Sequence, residues 1–294
     1  MPCIHVEHRV RSDEVALAVR EHSPSGPGRP SVVLVHGYPD QQDVWEPLIQ
    51  QLPLEDWHVV TYDVRGAGGS DAPASTAGYL TDRLVDDLVA VLDATVEGPV
   101  HLVGHDWGSV QLWDVVAGES TDPRLHGRVA SFTSISGPSI DHVAWLTSHP
   151  NGRVPALLQQ AMHSWYIGAF NVPLLPELGW RYGHAVVARL MAPREGLPPD
   201  HWGTELRRNA VNGLGLYRAN IGGRMRKPRS VRVDVPVLVV HPERDRYLTD
   251  LALEELDHLC SDVRVERVDA GHWAVVTDAD VVAPLVREHV GAHR

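Results

Sequence analysis

The chain has 294 residues, 43% of them hydrophobic, and a net charge of −12 at pH 7. That length suits one large domain or a domain with a substantial insertion, and the acidic balance counts against nucleic acid and against anionic membranes. No apolar run approaches a membrane span, "MPCIHVEHRV" lacks the pattern of a secretory signal, and Cys3 and Cys260 are too few for a disulfide framework, so a soluble, cytoplasmic protein is expected.

In chain order, "VRSDEVALAVREH" (10–22) alternates about a turn and predicts a hairpin. "SVVLVHG" (31–37) is a continuous β-branched run, the pattern of a strand buried on both faces. Further strands are expected at 57–66, 98–103, 128–137, 235–241 and 264–272. Helical stretches separate them, roughly at 41–52, 80–95, 109–118, 249–259 and 280–290. This alternation predicts an α/β fold with a mostly parallel sheet flanked by helices, whose functional residues gather at the carboxyl ends of the strands. Residues 138–230 break the alternation. They are rich in Pro, Gly and Trp, with helical periodicity at 155–170 and 203–221, and read as an inserted helical cap. The core is then 1–137 together with 231–294. "DVRGAGGS" (63–70) lacks dinucleotide-binding spacing, and the scattered histidines lack zinc spacing, so neither a cofactor nor a metal is expected.

The chemistry starts at "GHDWG" (104–108), between a predicted strand and a predicted helix. This is the spacing of a nucleophile elbow, with Asp106 where a serine usually stands. "HGYPD" (36–40) follows another strand, and its Tyr38 N–H, with the Trp107 N–H, would form an oxyanion hole. "HPERDRYL" (241–248) offers Asp245 and "DAGHWAV" (269–275) offers His272, in the order nucleophile, acid, histidine. Asp141 also follows a strand, and Glu243 lies close to Asp245, so the acid is not fixed by position alone. A carboxylate nucleophile has a chemical reason. Serine attack on a saturated carbon leaves an ether, whereas carboxylate attack leaves an ester that activated water can open.

The segments "HGYPD", "YDVRGAGGSDAP", "GHDWGS", "PERD" and "GHW" resemble those of the α/β-hydrolase-fold epoxide hydrolases, over residues 5 to 290 or so. The resemblance implies hydrolysis of a small-molecule epoxide by water, without a cofactor. It also implies two cap tyrosines that assist ring opening: Tyr166 in "SWYIGAF" and Tyr217 in "YRAN". Here Trp165 and Ile167 flank the first tyrosine, and Tyr38 replaces the family's usual phenylalanine. Trp107, Trp165 and Trp273 are candidates for substrate contact. A Trp-rich cap lining the pocket would favour a bulky or aromatic epoxide; the same tryptophans could instead pack the cap onto the sheet. A homodimer is a further expectation. Two other functions fit the same framework: a haloalkane dehalogenase with the same aspartate, and a non-catalytic ligand receptor.

Overall fold

The computed structural model describes residues 5–294; Cys3 lies outside them. Eight strands form one sheet in the order β1-β2-β4-β3-β5-β6-β7-β8. β1 (Val6–Ser12) and β2 (Val15–Glu21) are the expected hairpin, and β2 also pairs antiparallel with β4 (His58–Tyr62). From β4 onward every pairing is parallel, through β3 (Ser31–Val35), β5 (Val100–His105), β6 (Val129–Ile135), β7 (Val237–Pro242) and β8 (Val263–Val268). Every residue of β3, β4 and β5 is buried, which is why these strands read as unbroken apolar runs rather than alternating ones.

After β3 the chain moves to one side, into β4, and then crosses to the other side, into β5. The two loops diverge there and leave a crevice at the strand ends. Val35 on β3 is level with Gly104 on β5, so the turn carrying Tyr38 lies against the turn carrying Asp106.

Short α1 (Glu46–Ile49), α2 (Thr81–Thr95) and α3 (Trp107–Gly118) connect the early strands. Between β6 and β7 come α4 (Ile140–Ser148), α5 (Val154–His163), α6 (Trp165–Phe170), α7 (Leu175–Arg194) and α8 (Leu206–Arg226). Then follow α9 (Leu256–Leu259), α10 (Ala274–Thr277) and α11 (Ala279–Ala292).

Several bounds differ from expectation for local reasons. The helix expected at 41–52 is a 3-10 turn and the four-residue α1, with Pro47 in its first turn. The stretch 249–259 is likewise two short turns. The strand expected at 264–272 stops at Val268, which leaves His272 in a loop. The twenty-residue α7 was not anticipated. Its Pro176, Gly179, Gly183 and Pro193 are helix-breaking signals, but Pro176 sits in the first turn, where its missing N–H costs nothing, and Pro193 in the last.

Candidate active site

Asp106 sits between β5 and α3 with φ 50° and ψ −124°. A non-glycine residue there costs on the order of 1–3 kcal/mol and persists only when its surroundings enforce it. Two backbone bonds do so: the Asp106 N–H donates to Ile135 O at 3.0 Å, and the Val110 N–H donates to Asp106 O at 2.9 Å. A Cβ on Gly108 would lie 1.9 Å from the Val35 carbonyl oxygen, and one on Gly37 would lie 2.3 Å from Asp106 Oδ1. The glycines therefore let the two strand-end turns touch. Across that contact the Tyr38 N–H donates to Asp106 Oδ1 at 2.6 Å. Trp107 opens α3, where the first N–H groups have no partner within the helix.

Asp106 Oδ2 lies 3.6 Å from His272 Nε2. Behind it, His272 Nδ1 is 2.8 Å from Asp245 Oδ2. Asp245 Oδ1 accepts from the N–H groups of Tyr247 (2.7 Å) and Leu248 (3.1 Å). Burial alone would raise the Asp245 pKa, but His272 and these hydrogen bonds bring it below its ordinary value. Asp245 therefore accepts and Nδ1–H donates, which leaves Nε2 facing Asp106. Burial disfavours the imidazolium, yet Asp245 and Asp106 outweigh it, and the His272 pKa is pushed up to about 10. The structure also sorts the three candidate acids. Asp141 is ion-paired with Arg224 and Arg229, and Glu243 is exposed, so only Asp245 meets His272.

A cavity of about 440 Å³ opens in front of these groups, bordered by Asp106, Trp107, Tyr166, Tyr217, Tyr247 and His272. Tyr166 on α6 and Tyr217 on α8 meet edge-on, with ring centroids 6.0 Å apart. Burial first, and the nearby Asp106 carboxylate as well, raise both phenol pKa values above the ordinary one, so both keep their protons.

Two substrate-contact expectations are corrected. Trp165 is 71% exposed and turned away from the cavity. It opens α6 one residue before Tyr166, so the helical turn that brings the tyrosine inward sends the tryptophan out. Trp273 is buried behind His272, stacked edge-on at 4.7 Å, with its Nε1–H donating to Asp40 Oδ2 at 2.8 Å. The cap tryptophans Trp145, Trp180 and Trp202 do not border the cavity either; its walls are mostly aliphatic, from residues such as Val143, Leu157, Ile221 and Met225.

Other residues at the site were not anticipated. Tyr247 borders the cavity and meets His272 edge-on, with ring centroids 4.7 Å apart; its place two residues after Asp245 in "PERDRYL" is the available signal. The rest of "YRAN" is positional. Arg218 donates to Phe170 O (2.8 Å) and Val172 O (3.1 Å) and forks onto Glu177, which binds α8 to the end of α6 and the start of α7. Asn220 accepts from the Thr81 N–H at 2.9 Å and donates to Tyr79 O at 2.9 Å, which fixes α8 to the α2 end of the core.

The sequence profile of the alpha/beta hydrolase fold matches residues 30–279. The chain belongs to that family. Among its relatives, the probable oxidoreductase EphD of Mycobacterium tuberculosis is 32% identical over 293 residues, 94% of this chain and 48% of that protein. This alpha/beta hydrolase chain thus spans about half the length of that relative. Epoxide hydrolase A of the same organism is 37% identical over 135 residues, 46% of this chain and 39% of that protein. The crystal structure of Epoxide Hydrolase A from Mycobacterium thermoresistibile superposes with a TM-score of 0.80 at 23% identity, over 99% of each chain, a likeness of fold.

Proposed function

We infer that this alpha/beta hydrolase is an epoxide hydrolase that converts an epoxide and water into a vicinal diol through an ester on Asp106. One observation carries the reading: two protonated tyrosines, Tyr217 buried and Tyr166 partly buried, border the same cavity as the free oxygen of a carboxylate backed by a His–Asp pair. The names of two relatives, Epoxide hydrolase A of Mycobacterium tuberculosis and of Mycobacterium thermoresistibile, point the same way, whereas EphD is named a probable oxidoreductase.

In this reading Asp106 Oδ2 attacks an epoxide carbon and the ring C–O bond breaks toward the opposite side. Tyr166 and Tyr217, presented by residues 138–230 acting as a cap, donate hydrogen bonds and a proton to the departing oxygen. A halide would leave without a proton, so two phenols held in their acid form favour an alkoxide as leaving group. The ester is neutral, which removes one of the charges holding the His272 pKa high. With its pKa lowered, His272 gives up its proton, which replaces the one the tyrosines donated, and so becomes a base only once its substrate is attached. It then takes a proton from water, which attacks the ester carbon. The oxyanion on Oδ1 is held by the N–H groups of Tyr38 and Trp107. Collapse expels the diol oxygen, which takes the proton of the carboxyl group so formed, and restores the Asp106 carboxylate beside a protonated His272. The aliphatic cavity walls, with no Arg or Lys among the residues that border the cavity, suit a neutral, lipophilic epoxide.

The test is His272→Gln. Ester formation needs no base, whereas ester hydrolysis does. Intact-protein mass spectrometry should find an adduct with the full mass of an aryl epoxide, on a peptide containing Asp106. An adduct on another residue, or none from an epoxide that the wild type turns over, would refute the assignment of the nucleophile.

A further inference from the structure

Three consecutive helices of the insert expose apolar side chains on their outer faces. Leu158 and 75%-exposed Met162 stand on α5, Trp165 on α6, and Leu178, 78%-exposed Tyr182 and Val186 on α7. The spacing of four residues puts Leu158 and Met162 on one face of α5, and Leu178, Tyr182 and Val186 on one face of α7. α6 packs against both α5 and α7. Exposure of this extent is rare on a face that meets only water.

The charges here oppose those of the whole molecule. From Val154 to Arg194 the only acid is Glu177, and it is ion-paired with Arg218. Arg181, Arg189 and Arg194 are all exposed on α7. An apolar stripe edged by arginines in an otherwise acidic chain is the pattern of a helix that lies in a lipid interface. The net charge of −12 counts against anionic membranes for the chain as a whole, but not for this face. No helix among the described residues is long and apolar enough to cross a membrane, so the contact would be peripheral.

The cavity opens on the same side. Ala161 on α5 and Gly168 on α6 border it and are also exposed, next to Met162 and Trp165. We propose that the outer face of α5, α6 and α7 docks on a lipid surface with anionic headgroups, with the cavity mouth toward the lipid. A second copy seated here would cover the mouth and, in a symmetric pairing, set arginine against arginine. A lipid surface matches arginines with phosphates and can supply a lipophilic substrate to the mouth. This last role rests on the epoxide hydrolase reading; the docking does not.

The test is flotation of the full chain with phosphatidylcholine vesicles containing phosphatidylglycerol. Co-flotation is expected, weaker with phosphatidylcholine alone and weaker in high salt. An arginine near an anionic surface contributes roughly a factor of five to partitioning, so Arg181→Glu with Arg189→Glu should lower it by roughly twentyfold or more. Met162→Ser with Tyr182→Ser should also lower it. Both pairs should hydrolyse a dissolved aryl epoxide at the wild-type rate. Absence of vesicle binding, binding that neither pair weakens, or a lipid-free dimer that the same pairs dissociate would each overturn the docking. Vesicle binding that responds as expected, in a protein that forms no diol, would leave the docking standing and remove the epoxide hydrolase reading instead.

Discussion

The two halves of the site are held in place by different means. Asp106, Tyr38, Asp245 and His272 sit where strands end, fixed by backbone bonds, burial and glycine contacts that leave no room for a Cβ. Tyr166 and Tyr217 sit on helices that side chains tie down: Arg218 on Glu177 and two carbonyls, Asn220 on the core, and Arg224 and Arg229 on Asp114 and Asp141. Backbone positioning is rigid and intolerant of change. Side-chain positioning can be retuned one residue at a time, so the first half should govern whether chemistry occurs and the second how fast and on what.

The largest effects should come from the strand-end half. Gly108→Ala must displace β3 or the elbow and should leave little soluble, folded protein, as checked by yield and thermal unfolding. Asp245→Asn should fold, yet lose about four powers of ten in ester hydrolysis, because it would hold the wrong His272 tautomer. Single-turnover kinetics separate that step from alkylation. Loss of both steps in equal measure would contradict the assigned role.

Next come the tyrosines. Tyr217→Phe and Tyr166→Phe should each slow alkylation by roughly ten- to a thousandfold with the fold intact. Wild-type alkylation rates in both would break the comparison. Arg218→Ala should cost less, roughly several-fold in alkylation, with ester hydrolysis spared because His272 is held elsewhere. Equal loss in both steps would mean that the two halves are not separable.

The smallest effect sharpens the electrostatics. His272 is raised to about 10 in the folded state, against about 6.5 for a free histidine. Its contribution to stability is therefore full below about 6.5 and fades as pH rises toward 10. Asp106→Asn removes one of the supporting charges and should lower the His272 pKa in an NMR titration, which narrows that window. An unchanged pKa would show that Asp245 alone sets it.

The strand-end half was also the more legible in sequence. Buried strands and their turns leave continuous apolar runs and glycines at sites of close approach, so β3, β5, the elbow and His272 could be read directly. The choice between Asp245 and Asp141 could not, because both follow strands and only their distant partners separate them, His272 for Asp245 and Arg224 and Arg229 for Asp141. In the insert, composition leaves two readings of the tryptophans open, an aromatic pocket or packing of the cap, and the cap tryptophans pack or face outward. α7 is hidden by two glycines in its interior and by Pro176 and Pro193 at its ends, of which only Pro176 falls where a helix tolerates it freely. Side-chain ties such as Arg218 to Phe170 leave no local periodicity to read.

α5 and α6 contain no buried residue, whereas α8 has nine. A helix with so little in the interior opens locally at small cost. Apart from the Arg218 bond to Phe170 O and the partial burial of Tyr166 and its neighbours, little holds α6, so Tyr166 rides on a part that can swing out, while Tyr217 stays with the body. After hydrolysis, the diol would still be hydrogen-bonded to both phenols. Outward motion of α6 would withdraw one of them and widen the exit in the same movement, so the rate at which product leaves would follow the friction of the surrounding medium. Turnover should then fall as solvent viscosity rises, even where the bond-making steps are unaffected.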